Sequence, residues 1–362
     1  MKSGASIMAN GETNLQSGGS NELPARGRRV KPSKGMHPFL KSILIIGIIL
    51  LLCSGAYLAY LWMQLDDTLN DISGNEPAVP IPDEQKANQK PMVILLLGLD
   101  TRQETRSLNT DVIMAIALNP QSKQATLVSL PRDLYMKPTG YKAQKANAFY
   151  SISRRYGEDK PGGPDGLVKR MFGEFLDVPI DYLTVINFKT FEDIIDELGG
   201  IEVDVDMDMC YIDNADGTEI RLSKGFQELN GEEALGFVRY RHSTKKCGAD
   251  RTAESSDFER NERQQKVLSA MLDKMTSLGG LLKIDDVFKA VGDNVETDIP
   301  KSQLKSFLTT YAMIKKEDVK FVSLQGEWKS PYIRVEDEVL DQAKQELKNR
   351  LSGDSTPPAG TP

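Results

Sequence analysis

The stretch D-F-E-R-N-E-R-Q at 257–264 reads as the first two turns of a long helix, with Asp257 as its N-cap. Arg260, Arg263 and Gln264 stand at i, i+3 and i+4, so they share one face close to the helix N-terminus. Unpaired amides and the positive end of the helix dipole already favour an anion there, and two guanidinium forks add to it. A phosphate or pyrophosphate is the ligand such a surface suits. The alternative is a solvated face on which Glu259 and Glu262 pair with the arginines. Two further basic knots favour the anion site: R-Y-R-H at 239–242 and P-R-D at 131–133.

Acidic residues stand at matching places. L-L-L-G-L-D-T-R puts Asp100 and Arg102 just past the end of an apolar run, the edge of an α/β sheet where ligands bind. Asp111 opens the next run in N-T-D-V-I-M. Two carboxylates at one sheet edge suit Mg²⁺, which takes one or two carboxylates plus phosphate oxygens and water. The alternative is that Asp100 caps a turn and Asp111 pairs with Arg102 or Arg106. S-L-P-R-D ends the third apolar run, so Arg132, Arg239, Arg241 and Arg260 would form a cage of forked donors. The acidic positions 204–208, with Asp213, Asp216 and Glu219, fail the EF-hand spacing and read as a solvated loop. P-loop, nucleophile-elbow and H-E-x-x-H motifs are absent from the chain.

The elements that must position these groups follow from composition and period. The 362 residues are 40% hydrophobic and 27% charged, room for one large domain with appendages. Net charge is −7, which argues against a nucleic-acid binder. Before residue 42, seven basic residues stand against two acidic ones, a basic head that points to a membrane. Residues 1–41 read as a disordered cytoplasmic tail. Residues 42–63 carry no charge and at about 1.5 Å per residue would span roughly 33 Å as a transmembrane helix, with Tyr57, Tyr60 and Trp62 near the far interface. The positive-inside rule places the N-terminus in the cytoplasm and the remainder outside, a single-pass protein of the cell membrane. Residues 64–90 form a linker and 352–362 a flexible tail. Between them, 91–351 alternates strand and helix signals. Met92–Leu97, Val112–Leu118, Ala125–Leu130, Ile201–Val205 and Phe321–Leu324 are expected strands. Gly166–Leu176, Phe188–Leu198 before Gly199-Gly200, the segment after Asn230, the segment from Asp257 and Glu336–Leu351 are expected helices. This predicts a single extracellular α/β domain of three layers, a central mixed β-sheet flanked by helices.

Cys210 and Cys247 fall outside the cell on this topology, where disulfides persist, and a bridge would clamp the R-Y-R-H loop against the loop at 206–219. Free thiols are the alternative. Two cysteines and His242 lack the spacing of a zinc site.

The ordered motifs L-L-L-G-L-D-T-R, N-T-D-V-I-M, S-L-P-R-D, L-N-G-E-E-A-L-G-F-V-R-Y-R and D-F-E-R-N-E-R-Q-Q, behind a single span, resemble the LytR-CpsA-Psr family of Gram-positive cell-wall enzymes. The resemblance implies a phosphotransferase. It would move a glycopolymer phosphate (teichoic acid, capsule or similar) from a polyprenyl-pyrophosphate carrier to peptidoglycan, typically at the C6 hydroxyl of N-acetylmuramic acid. By that resemblance Asp100 and Asp111 match the Mg²⁺ pair, and Arg132, Arg239, Arg241, Arg260 and Gln264 match the pyrophosphate grip. Arg132, Asp257 and Arg260 are the expected catalytic residues, with Asp257 or Asp100 as the base. Apolar side chains between the sheet and helices such as Gly166–Leu176 would line a tunnel for the polyprenyl tail. The interval from Arg241 to Asp257 is longer than the family pattern and includes Cys247. A carrier pyrophosphatase, a transcriptional attenuator and a non-catalytic lipid-binding module are the rival readings.

Overall fold

The computed structural model describes residues 81–99, 108–214, 217–277 and 295–353, with Gly279, Gly280, Lys283 and Val287 between the last two stretches. The 42–63 span and Asp100 lie outside the described residues. Among the described residues no helix is long and apolar enough to cross a membrane.

The chain opens with β1 (Met92–Leu99), β2 (Thr110–Asn119) and β3 (Gln124–Ser129), then a small ladder of β4 (Tyr135–Met136) and β5 (Gln144–Lys145). Helices α1 (Phe149–Tyr156) and α2 (Gly163–Leu176) lead to β6 (Tyr182–Asn187) and α3 (Phe188–Leu198). Four short strands follow: β7 (Ile201–Val205), β8 (Met209–Ile212), β9 (Glu219–Leu222) and β10 (Gly225–Leu229). After them come α4 (Gly231–Arg239), the long α5 (Asp257–Thr276), β11 (Val295–Thr297) and α6 (Lys301–Tyr311). The domain closes with β12 (Val319–Ser323), β13 (Glu327–Lys329), β14 (Tyr332–Arg334) and α7 (Asp337–Ser352).

The central sheet runs β11-β6-β1-β2-β3-β12. β1 is antiparallel to β2 and parallel to β6, and β3 is antiparallel to β2 and parallel to β12, so the sheet is mixed as expected. β1 is buried on both faces, which is why it reads as an unbroken apolar run. Alternation along it then sorts the two sides. Val93, Leu95 and Leu97 join Ile113 and Ala115 of β2 in a core completed by Leu167, Val168, Met171 and Phe172 of α2 and Ala343 and Leu347 of α7. The intervening Leu96, with Gly98, Val112, Met114 and Ile186, faces the other layer of α3, α4 and α5. A separate cluster there, including Ile195, Val203, Phe237 and Val267, binds α3, α4 and α5 to β7 and the β8–β9 hairpin.

This sidedness corrects one expectation. The apolar face of α2 is spent on the closed core, where Phe172 and Val168 are fully buried, so the helix lines no tunnel. The space for an apolar ligand lies across the sheet.

Local capping accounts for where the site helices begin. The Asn187 side chain accepts the Thr190 amide at 2.8 Å and opens α3, which ends on left-handed Gly199. Asn230 and Glu233 form a reciprocal capping box at the head of α4. Ser256, not Asp257, caps α5. Its Oγ accepts the Glu259 amide while the Glu259 carboxylate takes the Ser256 amide, so Asp257 becomes the first helical residue. Those hydrogen bonds from Ser256 hold the Glu259 carboxyl below its ordinary pKa.

Candidate functional site

A cavity of about 330 Å³ opens between the sheet and the α3–α4–α5 layer. Its inner wall is apolar: Leu96 and Gly98 from β1, Val112 and Met114 from β2, Ile186 from β6, Phe188 and Phe191 from α3, Leu235 and Val238 from α4, Val267 and Leu268 from α5. Gly98 is required by space here. A Cβ at this position would sit 2.9 Å from the Cβ of Val112, its cross-strand partner.

The mouth of the same cavity is polar. Asp111, Arg132, Arg239, Arg241, Arg260 and Gln264 all line it. Six residues from four separate motifs thus meet at one place, as their types and element-end positions predicted. The Arg132 Nη1 donates to the Asp111 Oδ1 at 2.7 Å, and its Nε lies 3.6 Å from Asp133. Asp111 is thus paired with Arg132, while Arg102 and Arg106 lie outside the described residues. The Arg239 guanidinium sits over the Phe188 ring, 4.7 Å from its centroid, a stacking that holds the charge at the cavity edge. Arg260 and Gln264 lie one turn apart on α5 and reach the mouth together. The Asp257 side chain and Asp100 lie outside what the structure describes.

Arg263 does not join them. It is 1% exposed, and its guanidinium makes a two-pronged bond to Asp206, Nε to Oδ1 at 2.8 Å and Nη2 to Oδ2 at 2.7 Å. Nη1 also donates to the Tyr240 carbonyl at 3.3 Å. Burial alone would raise the Asp206 pKa, but the hydrogen bond and charge of Arg263 outweigh it and hold the carboxyl below its ordinary value. Asp206, expected in a solvated loop, is thus the anchor that locks α5 to the end of β7. Helical period placed Arg260 and Arg263 on one broad face. Three residues are about 300° of turn, not a full one, and that angular offset directs the second arginine into the core.

The remaining rim includes Tyr211, which carried no motif, and His242, the last residue of R-Y-R-H. Tyr211 and His242 line the cavity and meet edge to face with centroids 6.1 Å apart. The expected Cys210–Cys247 disulfide is formed, with Cα atoms 6.0 Å apart, and ties β8 to the segment after Arg241. Tyr240, 1% exposed, hydrogen-bonds Ser243 at 3.2 Å and also Thr252, so the long interval before α5 is folded back on itself. Spacing gave no hint of Tyr211; only the disulfide neighbour at 210 pointed to that strand.

Carboxylate oxygen is the donor Mg²⁺ prefers, and Asp111 presents one at the mouth. Among the described residues no group of three or more His, Cys, Asp or Glu could hold a metal. Asp111 has the chemistry of one such ligand, and Asp100, the other expected carboxylate, lies outside the described residues.

Fold and site together define an α/β domain whose central mixed sheet carries an arginine-lined mouth over an apolar cavity. The chain belongs to the LytR_cpsA_psr family, whose model matches residues 60–351. It is 28% identical over 344 residues to the polyisoprenyl-teichoic acid–peptidoglycan teichoic acid transferase TagT of Bacillus subtilis (strain 168), spanning 91% of this chain and 99% of that protein. The crystal structure of TagV from B. subtilis superposes with a TM-score of 0.57 at 28% identity, covering 73% of this chain and 98% of TagV. TagT bound to LI-WTA superposes with a TM-score of 0.54 at 26% identity, covering 77% of this chain and 97% of that one.

Proposed function

We propose that this protein transfers an anionic glycopolymer phosphate from a polyprenyl-pyrophosphate carrier to peptidoglycan. The observation that carries the reading is the convergence of Arg132, Arg239, Arg241, Arg260 and Gln264 at the mouth of an otherwise apolar cavity. A substrate with a pyrophosphate head and a hydrocarbon tail matches both halves. At about 330 Å³ the cavity is near the lower end of ligand pockets, so it would take the head-proximal part of a long tail and let the rest continue outward. The named transferase relatives support the same reading.

The chemistry requires little covalent help from the protein. The acceptor hydroxyl oxygen bonds to the sugar-side phosphorus and the bridging P–O bond breaks. Polyprenyl phosphate departs with the electron pair, and the hydroxyl proton passes to a carboxylate base, for which Asp257 and Asp100 are the candidates. Arg132 and Arg260 donate to oxygens that gain charge as the bond breaks, and arginine's fork suits the paired oxygens of a phosphate. Mg²⁺ held by Asp111 and Asp100 would add charge neutralisation at the same head group. Anchoring by residues 42–63, with the domain outside the cell, would keep the site beside its lipid substrate.

The test incubates the full chain in lipid nanodiscs with Mg²⁺, a synthetic polyprenyl-pyrophosphate disaccharide and an undecorated peptidoglycan oligomer, followed by mass spectrometry. A phosphodiester-linked adduct that Arg260→Ala abolishes supports transfer. Release of polyprenyl phosphate without adduct would replace transferase with hydrolase.

A further inference from the structure

A second hollow of about 270 Å³ backs onto the first. The two share Asp111, Val112, Arg132, Arg260 and Gln264, so one mainly charged and polar wall stands between an apolar cavity and a more polar one. Beyond that wall the second hollow is lined by polar Ser129, Asp133, Asn261 and Gln325 and by apolar groups that include Leu130 and Trp328. Trp328 is 59% exposed, one of few large apolar side chains left in solvent among the described residues.

The indole is displayed there by a purpose-shaped support. Trp328 is the cross-strand partner of Ile333 in the β13–β14 hairpin, so both side chains leave on one face, and both border the hollow. The Ile333 amide donates to the Asp133 carbonyl at 2.8 Å, which fastens the hairpin to the residue after Arg132. Tyr332 packs edge to face on Tyr135, and Arg334 stacks on the same ring at 4.0 Å. Lys145, bound to Asp133 at 2.6 Å, lies 5.5 Å from the Trp328 ring centroid and orients it.

We propose that this second hollow is the acceptor subsite, and that Trp328 is the platform on which a pyranose ring of the acceptor glycan chain stacks. The inference rests on the transferase reading above. In-line displacement needs nucleophile and leaving group on opposite sides of the transferred phosphorus. If the leaving polyprenyl phosphate occupies the apolar cavity, the hydroxyl must arrive from across the Arg132–Arg260 wall, which is where this hollow opens. The face of a pyranose carries C–H groups that pack on the electron-rich face of an indole, while its rim of hydroxyls and amides needs neutral and acidic partners. Asn261, Gln325, Ser129 and Asp133 are of that kind. The Asn261 Nδ2 is already bonded to Ser323 at 2.9 Å, which fixes the amide in place beside Arg260.

Trp328 and Trp62 are the two tryptophans of the chain, so full-length protein carrying Trp62→Phe reports on Trp328 alone. In nanodiscs, a tetrasaccharide of alternating N-acetylglucosamine and N-acetylmuramic acid should quench or blue-shift its fluorescence in a saturable manner. The donor disaccharide should leave the signal unchanged. In the transfer assay Trp328→Ala should raise the acceptor KM about ten-fold at little cost in kcat, and Trp328→Tyr should recover most of it. Donor lipid affinity should stay within about two-fold. An unchanged acceptor KM in Trp328→Ala, or a rise in donor Kd instead, overturns the subsite while leaving transfer intact. Saturable quenching by the tetrasaccharide with no adduct from any donor would retain a glycan subsite and remove the transferase reading.

Discussion

Arg132, just past the end of β3, donates to Asp111, at the start of β2, across 2.7 Å, and this bond lies within the wall shared by the two hollows. Each partner remains partly exposed, 30% and 28% by side chain, so a ligand can reach both. An incoming phosphate oxygen and the Asp111 carboxylate compete for the same guanidinium.

That competition gives a sign that can be tested. Without metal, Asp111→Asn removes a negative charge beside the mouth and releases Arg132, so pyrophosphate should bind more tightly than to the native protein. With Mg²⁺ the order should reverse, because the variant lacks the carboxylate proposed to hold the metal. Titration calorimetry with inorganic pyrophosphate, with and without Mg²⁺, reads both; the same order in both conditions would contradict Asp111 as a metal ligand.

Arg260 and Arg132 are expected to act mainly in the transition state. Each alanine variant should lower kcat by about 10²–10³-fold in the transfer assay. Arg132→Lys should recover only part of this, since an ammonium lacks the planar fork. A loss confined to donor KM would indicate simple substrate binding.

Gly98 leaves the cavity open. In Gly98→Val the new Cβ meets the Val112 Cβ at 2.9 Å, and both residues line the cavity, so the apolar space narrows. Donors with long polyprenyl tails should lose affinity more than a short, water-soluble analogue. Equal losses for both tails would show that the cavity is not where the tail lies.

The Arg263–Asp206 pair should govern stability and not chemistry. Asp206→Ala leaves a guanidinium 1% exposed without its carboxylate, at a cost of about 3–5 kcal/mol. The pH dependence follows from the depressed Asp206 pKa. Its contribution is present above the ordinary value of 3.8 and is lost as pH falls through the lower folded-state pKa. Thermal melts between neutral and strongly acid pH should therefore show a steeper acid decline for the native chain than for Asp206→Asn.

The Cys210–Cys247 bridge closes 37 residues of sequence separation, and Cys247→Ser should cost about 2–4 kcal/mol. Because Tyr211 and His242 flank the bridged segments at the cavity rim, donor affinity should fall as well. A lowered Tm with unchanged donor affinity would make the bridge purely structural.

Much of this site was legible along the chain because its residues occupy ends of elements. Asp111, Arg132, Arg239 and Arg260 each stand where a strand or helix begins or stops, and in an α/β sheet such ends gather at one edge. Strand and helix periods identified β1, α3 and β7 from local pattern alone, since burial on one or two faces imprints the sequence directly. The ordered motifs carry the family resemblance without any knowledge of tertiary contacts.

What the chain could not reveal was direction. Arg263 carries the same charge as Arg260 three residues away, yet one is buried against Asp206 and the other faces the mouth, because helix rotation becomes meaningful only once the neighbouring layer is in place. Likewise α2 and α5 both present apolar stripes, and only the packing of α2 with α7 across the far face leaves the cavity beside α5. Trp328 sits in no motif, and its place over the second hollow depends on a hairpin fastened to Asp133, almost 200 residues earlier in the chain. Local interactions determine which elements form; long-range burial decides which of their faces remain open to a ligand.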